Sequence, residues 1–135
     1  MANSYVVDIQ GFDVYGNFIP KELCVVSVES TFVRHRMIGP PTHYQRLSPQ
    51  LKKQVNFVTN HIHGLYWDQG YALERDVLDL LRELLKYADK VFIKGSERVN
   101  YLKNLLKNIS AKVIDLDINS DVSAYFLLIL TRMKH

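Results

Sequence analysis

The sequence predicts one α/β domain built on a mixed sheet, and three observations predict it. Two runs rich in β-branched and aromatic residues, Tyr5 to Gln10 and Phe18 to Val28, open the chain. Four later segments repeat apolar residues at helical spacing. Two short apolar runs alternate with the later helices, as β-α-β units require of strands covered on both faces. The order is three strands, two helices, strand, helix, strand, helix. An antiparallel three-stranded meander is thus followed by β-α-β units, with the helices packed on the sheet.

The opening strands are separated by Gly11 and the Gly16-Asn17 pair, residues that tolerate the positive φ of a tight turn. A third strand is predicted over Ser30 to Met37, with Arg34 and Arg36 on one side, and Gly39-Pro40-Pro41 ends it. Ser48-Pro49 starts a helix, Ser as N-cap and Pro in the first turn, with Leu51, Val55 and Val58 as its apolar stripe. Asn60 to Gly70 reads as a loop dense in aromatic and polar side chains. The next helix spans Ala72 to Tyr87, its inner face formed by Leu73, Val77, Leu80, Leu81, Leu84 and Leu85. Val91 to Ile93 is a central strand. Ser96 caps a helix that turns Val99, Leu102, Leu105 and Leu106 inward. Lys112 to Leu116 is a second buried strand, and Ser120 or Asp121 caps a last helix carrying Val122, Ala124, Tyr125, Leu128 and Ile129.

Composition narrows the function classes. At 135 residues, 47% hydrophobic and 23% charged, the chain forms a single domain over residues 1–135 and is not disordered. One cysteine, Cys24, excludes an internal disulfide and a multi-cysteine metal site, and its apolar strand makes it a buried, inert thiol. The start Met-Ala-Asn-Ser-Tyr lacks the features of a secretory leader, and the apolar run Ala124 to Leu130 is far short of the roughly 20 residues that span a bilayer. An intracellular protein, cytoplasmic or nuclear and without a membrane partner, is expected. The net charge is +3, yet Lys86 to Lys112 holds seven basic residues against two acids. That asymmetry favours a polyanion, and equally describes the wet side of ordinary helices.

The first strand carries an acid, Asp8, among apolar neighbours. A carboxylate there is costly unless it faces solvent, pairs with a cation or binds a metal. This strand order with an acid in the first strand resembles the ribonuclease H-like architecture. The opening Val-Val-Asp-Ile-Gln-Gly-Phe, with Lys-Glu-Leu-Cys-Val-Val on the second strand, resembles the start of the DEDD-type 3′–5′ exonucleases. Ala88 to Leu102 occupies the place of that family's next strand and acid-bearing helix, and Val113-Ile-Asp115-Leu resembles its following strand. The stretches Asp-Ile-Gln-Gly-Phe, His-Gly-Leu-x-Trp-Asp-x-Gly and Val-Phe-Ile-Lys-Gly-x-Glu are also similar to a group of arthropod mobile-element and insect-virus proteins, which implies a viral or mobile-element origin.

Set against the exonuclease pattern, Asp8 matches the first acid, but Gln10 stands where the second belongs. Val99 or Asn100 takes the third place, and only Asp121 lies near the family's His-x-x-x-x-Asp helix. Two-metal phosphodiester cleavage needs several carboxylates converging on the ions, and an amide is a poor ligand for hard cations. The resemblance therefore implies a catalytically inactive domain with a residual site of Asp8, Gln10, Glu22 and Asp115. Glu22 is the one route back to a metal site, because it can share a face with Asp8. No metal and no cofactor are expected; Mg²⁺ or Mn²⁺ enters only if the chain is an active nuclease using Asp8, Glu22 and Asp115 or Asp117.

For nucleic acid, the candidate contacts are Lys94, Arg98, Lys103 and Lys107, with Tyr66 and Trp67 as stacking platforms for bases. The bland alternative has Tyr66-Trp67 plugging the loop against the core. His61-x-His63 reads as a pair of loop histidines, because a structural zinc site wants four ligands and none is nearby. The leading expectation is an inactive exonuclease-like domain that binds nucleic acid or a protein partner. The alternatives are an interaction or homodimerising module, using Tyr66-Trp67 and Tyr125 to Leu130, and an active metal-dependent nuclease.

Overall fold

The computed structural model describes residues 3–30 and 32–117. The predicted last helix from Ser120 or Asp121, with Asp121 itself and the run Ala124 to Leu130, lies outside the described residues.

Strands β1 (Ser4–Val14) and β2 (Asn17–Ser27) form the predicted hairpin, with β1 running past Gln10 to the turn. Tyr15 and Gly16 make that turn with φ of 50° and 82°. Gly11, expected among the turn residues, instead lies inside β1, where the register shifts between Gln10 and Gly11. Gln10 opposes Glu22 and Gly11 opposes Pro20, so Lys21 is an extra residue on β2, a β-bulge. The strands approach so closely there that a Cβ on Gly11 would lie 2.0 Å from the Ile19 carbonyl oxygen.

β3 (Val33–Met37) is shorter than predicted and pairs antiparallel with β2, its Arg34 and Arg36 exposed. Helix α1 (Pro49–Val58) begins as the sequence indicates, with Ser48 Oγ accepting the Leu51 N–H at 3.2 Å. Helix α2 (Glu74–Leu85) starts later than Ala72. Ala72 donates its N–H to Met37 O and accepts from Gly39 N, an extended bridge beside β3. That bridge holds the chain straight through Leu73, which is exposed rather than on the inner face. β4 (Lys90–Ile93) is central, as predicted. Helix α3 (Ser96–Leu105) has Gly95 at its N-cap position, with φ of 101°, so Ser96 is its first residue and not its cap. β5 (Lys112–Asp115) is half-buried, because among the described strands it is an edge.

The five strands lie in the order β3-β2-β1-β4-β5, the first three antiparallel and β1, β4 and β5 parallel. Side chains alternate between the two faces. Val7, Ile9, Leu23, Val25, Val91 and Ile93 meet Val77, Leu81 and Leu85 of α2 and Val99 and Leu102 of α3 in the main core. Each buried side chain of this size contributes about 1.5–3 kcal/mol. Val6, Cys24, Val26, Phe92 and Leu116 cluster on the opposite face, and Cys24 is indeed buried. Farther along, Phe12 packs with Trp67 and with Leu51 and Val55 of α1. Among the described residues no helix is long and apolar enough to cross a membrane.

Candidate functional site at the strand bulge

The bulge gathers polar side chains from three parts of the chain. Asp8 and Gln10 alternate with Val7 and Ile9, so they point away from the main core, and Glu22, the register partner of Gln10, shares their face. Gln10 Nε2 donates to Asp8 Oδ1 at 3.2 Å. Arg98 reaches in from the first turn of α3, donating Nε–H to Ile9 O at 2.6 Å and Nη2–H to Gln10 Oε1 at 3.4 Å. The Phe18 ring lies under the guanidinium, 5.5 Å from centroid to Cζ. Gln10 thus links a cation to a carboxylate, accepting from Arg98 and donating to Asp8. An amide can play both parts; a glutamate has no proton to give Asp8 at neutral pH.

His63 comes from the π-helical turn Thr59–His63 that ends α1. Its Nδ1 accepts the Leu65 N–H at 3.0 Å, which leaves Nε2–H to donate to Gly11 O at 3.0 Å. The ring meets Phe12 edge-on at 4.9 Å. Burial lowers its pKa, and the Gly11 bond and Glu22 only partly oppose this, so the imidazole is neutral and acts as a brace over the bulge. His61, two residues earlier, is exposed and its ring lies tilted against Phe57, with centroids 4.7 Å apart. The two histidines are therefore not a ligand pair. Glu22 Oε2 lies 3.0 Å from His35 Nε2 of β3.

Among the described residues, no group of three or more His, Cys, Asp or Glu side chains is placed to hold a metal. Asp115 does not join Asp8, Gln10 and Glu22. It is the register partner of Ile93, whose side chain is in the main core, so the pleat turns Asp115 to the other face. There its Oδ1 accepts the N–H groups of Gly95 at 3.1 Å and Asp117 at 2.9 Å.

The expected nucleic-acid contacts divide among three places. Lys94 is exposed at the end of β4, near the first turn of α3 that carries Arg98, and Arg98 itself is tied to β1. Lys103 and Lys107, at the far end of α3, line a depression of about 390 Å³ together with Lys112 and the aliphatic side chains of Leu106, Ile109 and Val113. Lys90 adjoins Lys112 in register. Trp67 is only 3% exposed, packed on Phe12 at 5.4 Å with its indole N–H on Thr42 O at 2.7 Å. It plugs the loop and offers no face to a base without opening the core. Tyr66 beside it is 68% exposed.

Lys21 went unnoticed in the sequence. It is 0% exposed, and its ammonium donates to Ile38 O at 2.6 Å and to Gln69 O. Burial lowers its pKa to about 8, against a smaller opposing pull from Asp68. It clasps the segment after β3 to the loop before α2. A period-two count from Leu23 and Val25 assigns Lys21 to the inward face, and that was the available signal. Compared with known proteins, the sequence matches no family model and no curated protein.

Proposed function

We propose that this chain is a catalytically inactive, ribonuclease H-like domain that binds nucleic acid. The strand order β3-β2-β1-β4-β5, with an acid on the central strand, supports the fold assignment. The observation that carries the binding half is the convergence of Lys103, Lys107 and Lys112 on one depression, with Lys90 beside it and no acidic side chain among its described lining residues. Such a cluster displaces the counterions of a phosphate backbone. The lack of catalysis rests on Gln10, which takes a hydrogen bond from Arg98 where the exonuclease pattern needs a metal-binding carboxylate.

Fluorescence anisotropy with labelled single- and double-stranded oligonucleotides tests the reading. Binding is expected at low salt and should weaken steeply as salt rises. Reversing Lys103 and Lys107 together to Glu should weaken it by about tenfold or more, because fewer phosphates are then neutralised and fewer counterions released. No binding at the lowest salt, or binding indifferent to the reversal, overturns the proposal. A protein-interaction reading has its own support in the exposed Phe57, Ile62 and Tyr66 around the end of α1. A chain that self-associates in light scattering and binds no oligonucleotide would favour it.

A further inference from the structure

Among the described strands β3 is an edge, at the opposite side of the sheet from the lysine-lined depression beside β5. Its main-chain groups face alternately toward and away from β2. Ser27 N donates to Phe32 O at 3.0 Å and Ile38 N to Lys21 O at 2.7 Å. With Val25 opposite Arg34 and Leu23 opposite Arg36, those bonds turn the N–H and C=O of Arg34 and Arg36 toward β2. The groups of Val33, His35 and Met37 therefore face outward. One end of this outward row is already used by the chain itself. Met37 O accepts from Ala72 N at 3.3 Å, and Gly39 N donates to Ala72 O at 2.9 Å, a parallel bridge that Lys21 fastens through Ile38 O and Gln69 O. The outward N–H groups of Val33 and His35 have no partner among the described residues.

The side chains select what can pair there. Arg34 and Arg36 are exposed and share one face of the strand. Arg34 Nη1 donates to Val33 O at 3.4 Å and Arg36 Nη1 to His35 O at 2.8 Å, so each guanidinium shields an outward carbonyl. His35 between them is held to Glu22 at 3.0 Å, which fixes the middle of the edge. A second copy is a poor occupant. Two β3 strands paired antiparallel about His35 would set Arg34 of each chain opposite Arg36 of the other, and like charges directly opposite destabilise a sheet. A strand with carboxylates at alternate positions reverses the sign of both contacts. Each guanidinium then turns from its own chain's carbonyl to a carboxylate, and the released carbonyl accepts an N–H of the added strand.

We propose that β3 is a docking edge for an acidic extended segment of another protein, which adds an antiparallel strand with its acids against Arg34 and Arg36. This surface is separate from the lysine-lined depression and stands or falls without it. The probe is the synthetic peptide acetyl-Thr-Val-Glu-Val-Glu-Val-Thr-amide, titrated into the isotope-labelled full chain and followed by amide hydrogen exchange. A second peptide carries a methyl on the amide nitrogen of its central Val. That change keeps the charge and removes the donor that would reach His35 O.

The first peptide should bind saturably and slow exchange at the Val33 and His35 amides by about tenfold or more, leaving the Arg34 and Arg36 amides, already bonded to β2, as they were. Methylation should weaken binding by about tenfold, because a carbonyl of the edge is left unpaired. Reversing Arg34 and Arg36 together to Glu should weaken it by about tenfold or more, with an unchanged thermal melt showing the sheet intact. No saturable binding, equal binding of the methylated peptide, or charge-reversed chain that binds like the parent would overturn the proposal. So would protection of the same amides in the concentrated chain alone, which would make β3 a contact between copies. An oligonucleotide that protects them better than the peptide would overturn it too, and would make β3 a nucleic-acid surface.

Discussion

Replacing Gln10 with Glu tests the logic of the bulge. The new carboxylate oxygen would take the place of Nε2, 3.2 Å from Asp8 Oδ1. At an effective dielectric of ~20, two unit charges at that separation repel by about 5 kcal/mol. Arg98 Nη2 stands 3.4 Å from the other oxygen of the same side chain. By the same arithmetic it attracts the new charge by about 5 kcal/mol. The two effects nearly cancel. What remains is the missing hydrogen bond to a charged acceptor, about 1.5–3 kcal/mol, and Gln10→Glu should destabilise the fold by about 2 kcal/mol in urea at neutral pH.

The cancellation depends on Arg98. In an Arg98→Gln background the same change should cost about 3 kcal/mol more, after discounting the full Coulomb energy for solvent at this half-exposed site. A double-mutant cycle over Gln10 and Arg98 reads that coupling directly. Two neighbouring carboxylates raise each other's pKa, so the repulsive penalty is present at neutral pH and fades as pH falls through the carboxylate range. If the two substitutions add to within about 0.5 kcal/mol, Gln10 does not link Arg98 to Asp8 and the reasoning fails.

Other outcomes follow from the same structure. Lys21 titrates at about 8 in the folded chain and 10.5 unfolded, so the unfolded chain holds more protons between those values. Stability relative to Lys21→Met should therefore rise as pH climbs from 8 toward 10.5, and urea midpoints that run parallel would exclude the effect. Tyr101 shows the opposite sign: burial pushes it up from 10.0 to about 12, so its contribution falls as pH passes 10. At neutral pH, Tyr101→Phe removes a buried hydroxyl with no hydrogen-bond partner among the described residues. It should leave stability unchanged or raise it by about 1 kcal/mol, measured by thermal melting. Gly11→Ala forces a methyl against the Ile19 carbonyl. It should cost about 3 kcal/mol or more and open the bulge, seen as faster hydrogen exchange at the Gly11 and Ile19 amides.

Much of the sheet was legible in the sequence because a period of two and a period of 3.6 leave different marks. The hairpin, the Ser48 cap and the β4 run needed nothing beyond local pattern. Two boundaries failed for tertiary reasons. Gly11 looks like a turn residue until β2 is laid against it, and Leu73 looks like a helix position until Ala72 is paired with Ile38. The candidate site was only half visible. Asp8, Gln10 and Glu22 share a face by parity alone, but Arg98 lies 88 residues from Gln10 in sequence, and nothing local links them. Asp115 was misplaced because parity within one strand does not say which face of a neighbouring strand it matches. Trp67 and Tyr66 are adjacent and chemically alike, yet one is core and one is surface, a division made by Phe12 and Thr42.

The central claim is that this domain holds nucleic acid without cutting it. One measurement addresses it most directly: an end-labelled oligonucleotide incubated with the chain and Mn²⁺, read for retention by anisotropy and for length on a denaturing gel. A retained strand of unchanged length is the expected result. Shortened products that vanish with Asp8→Asn would contradict the claim.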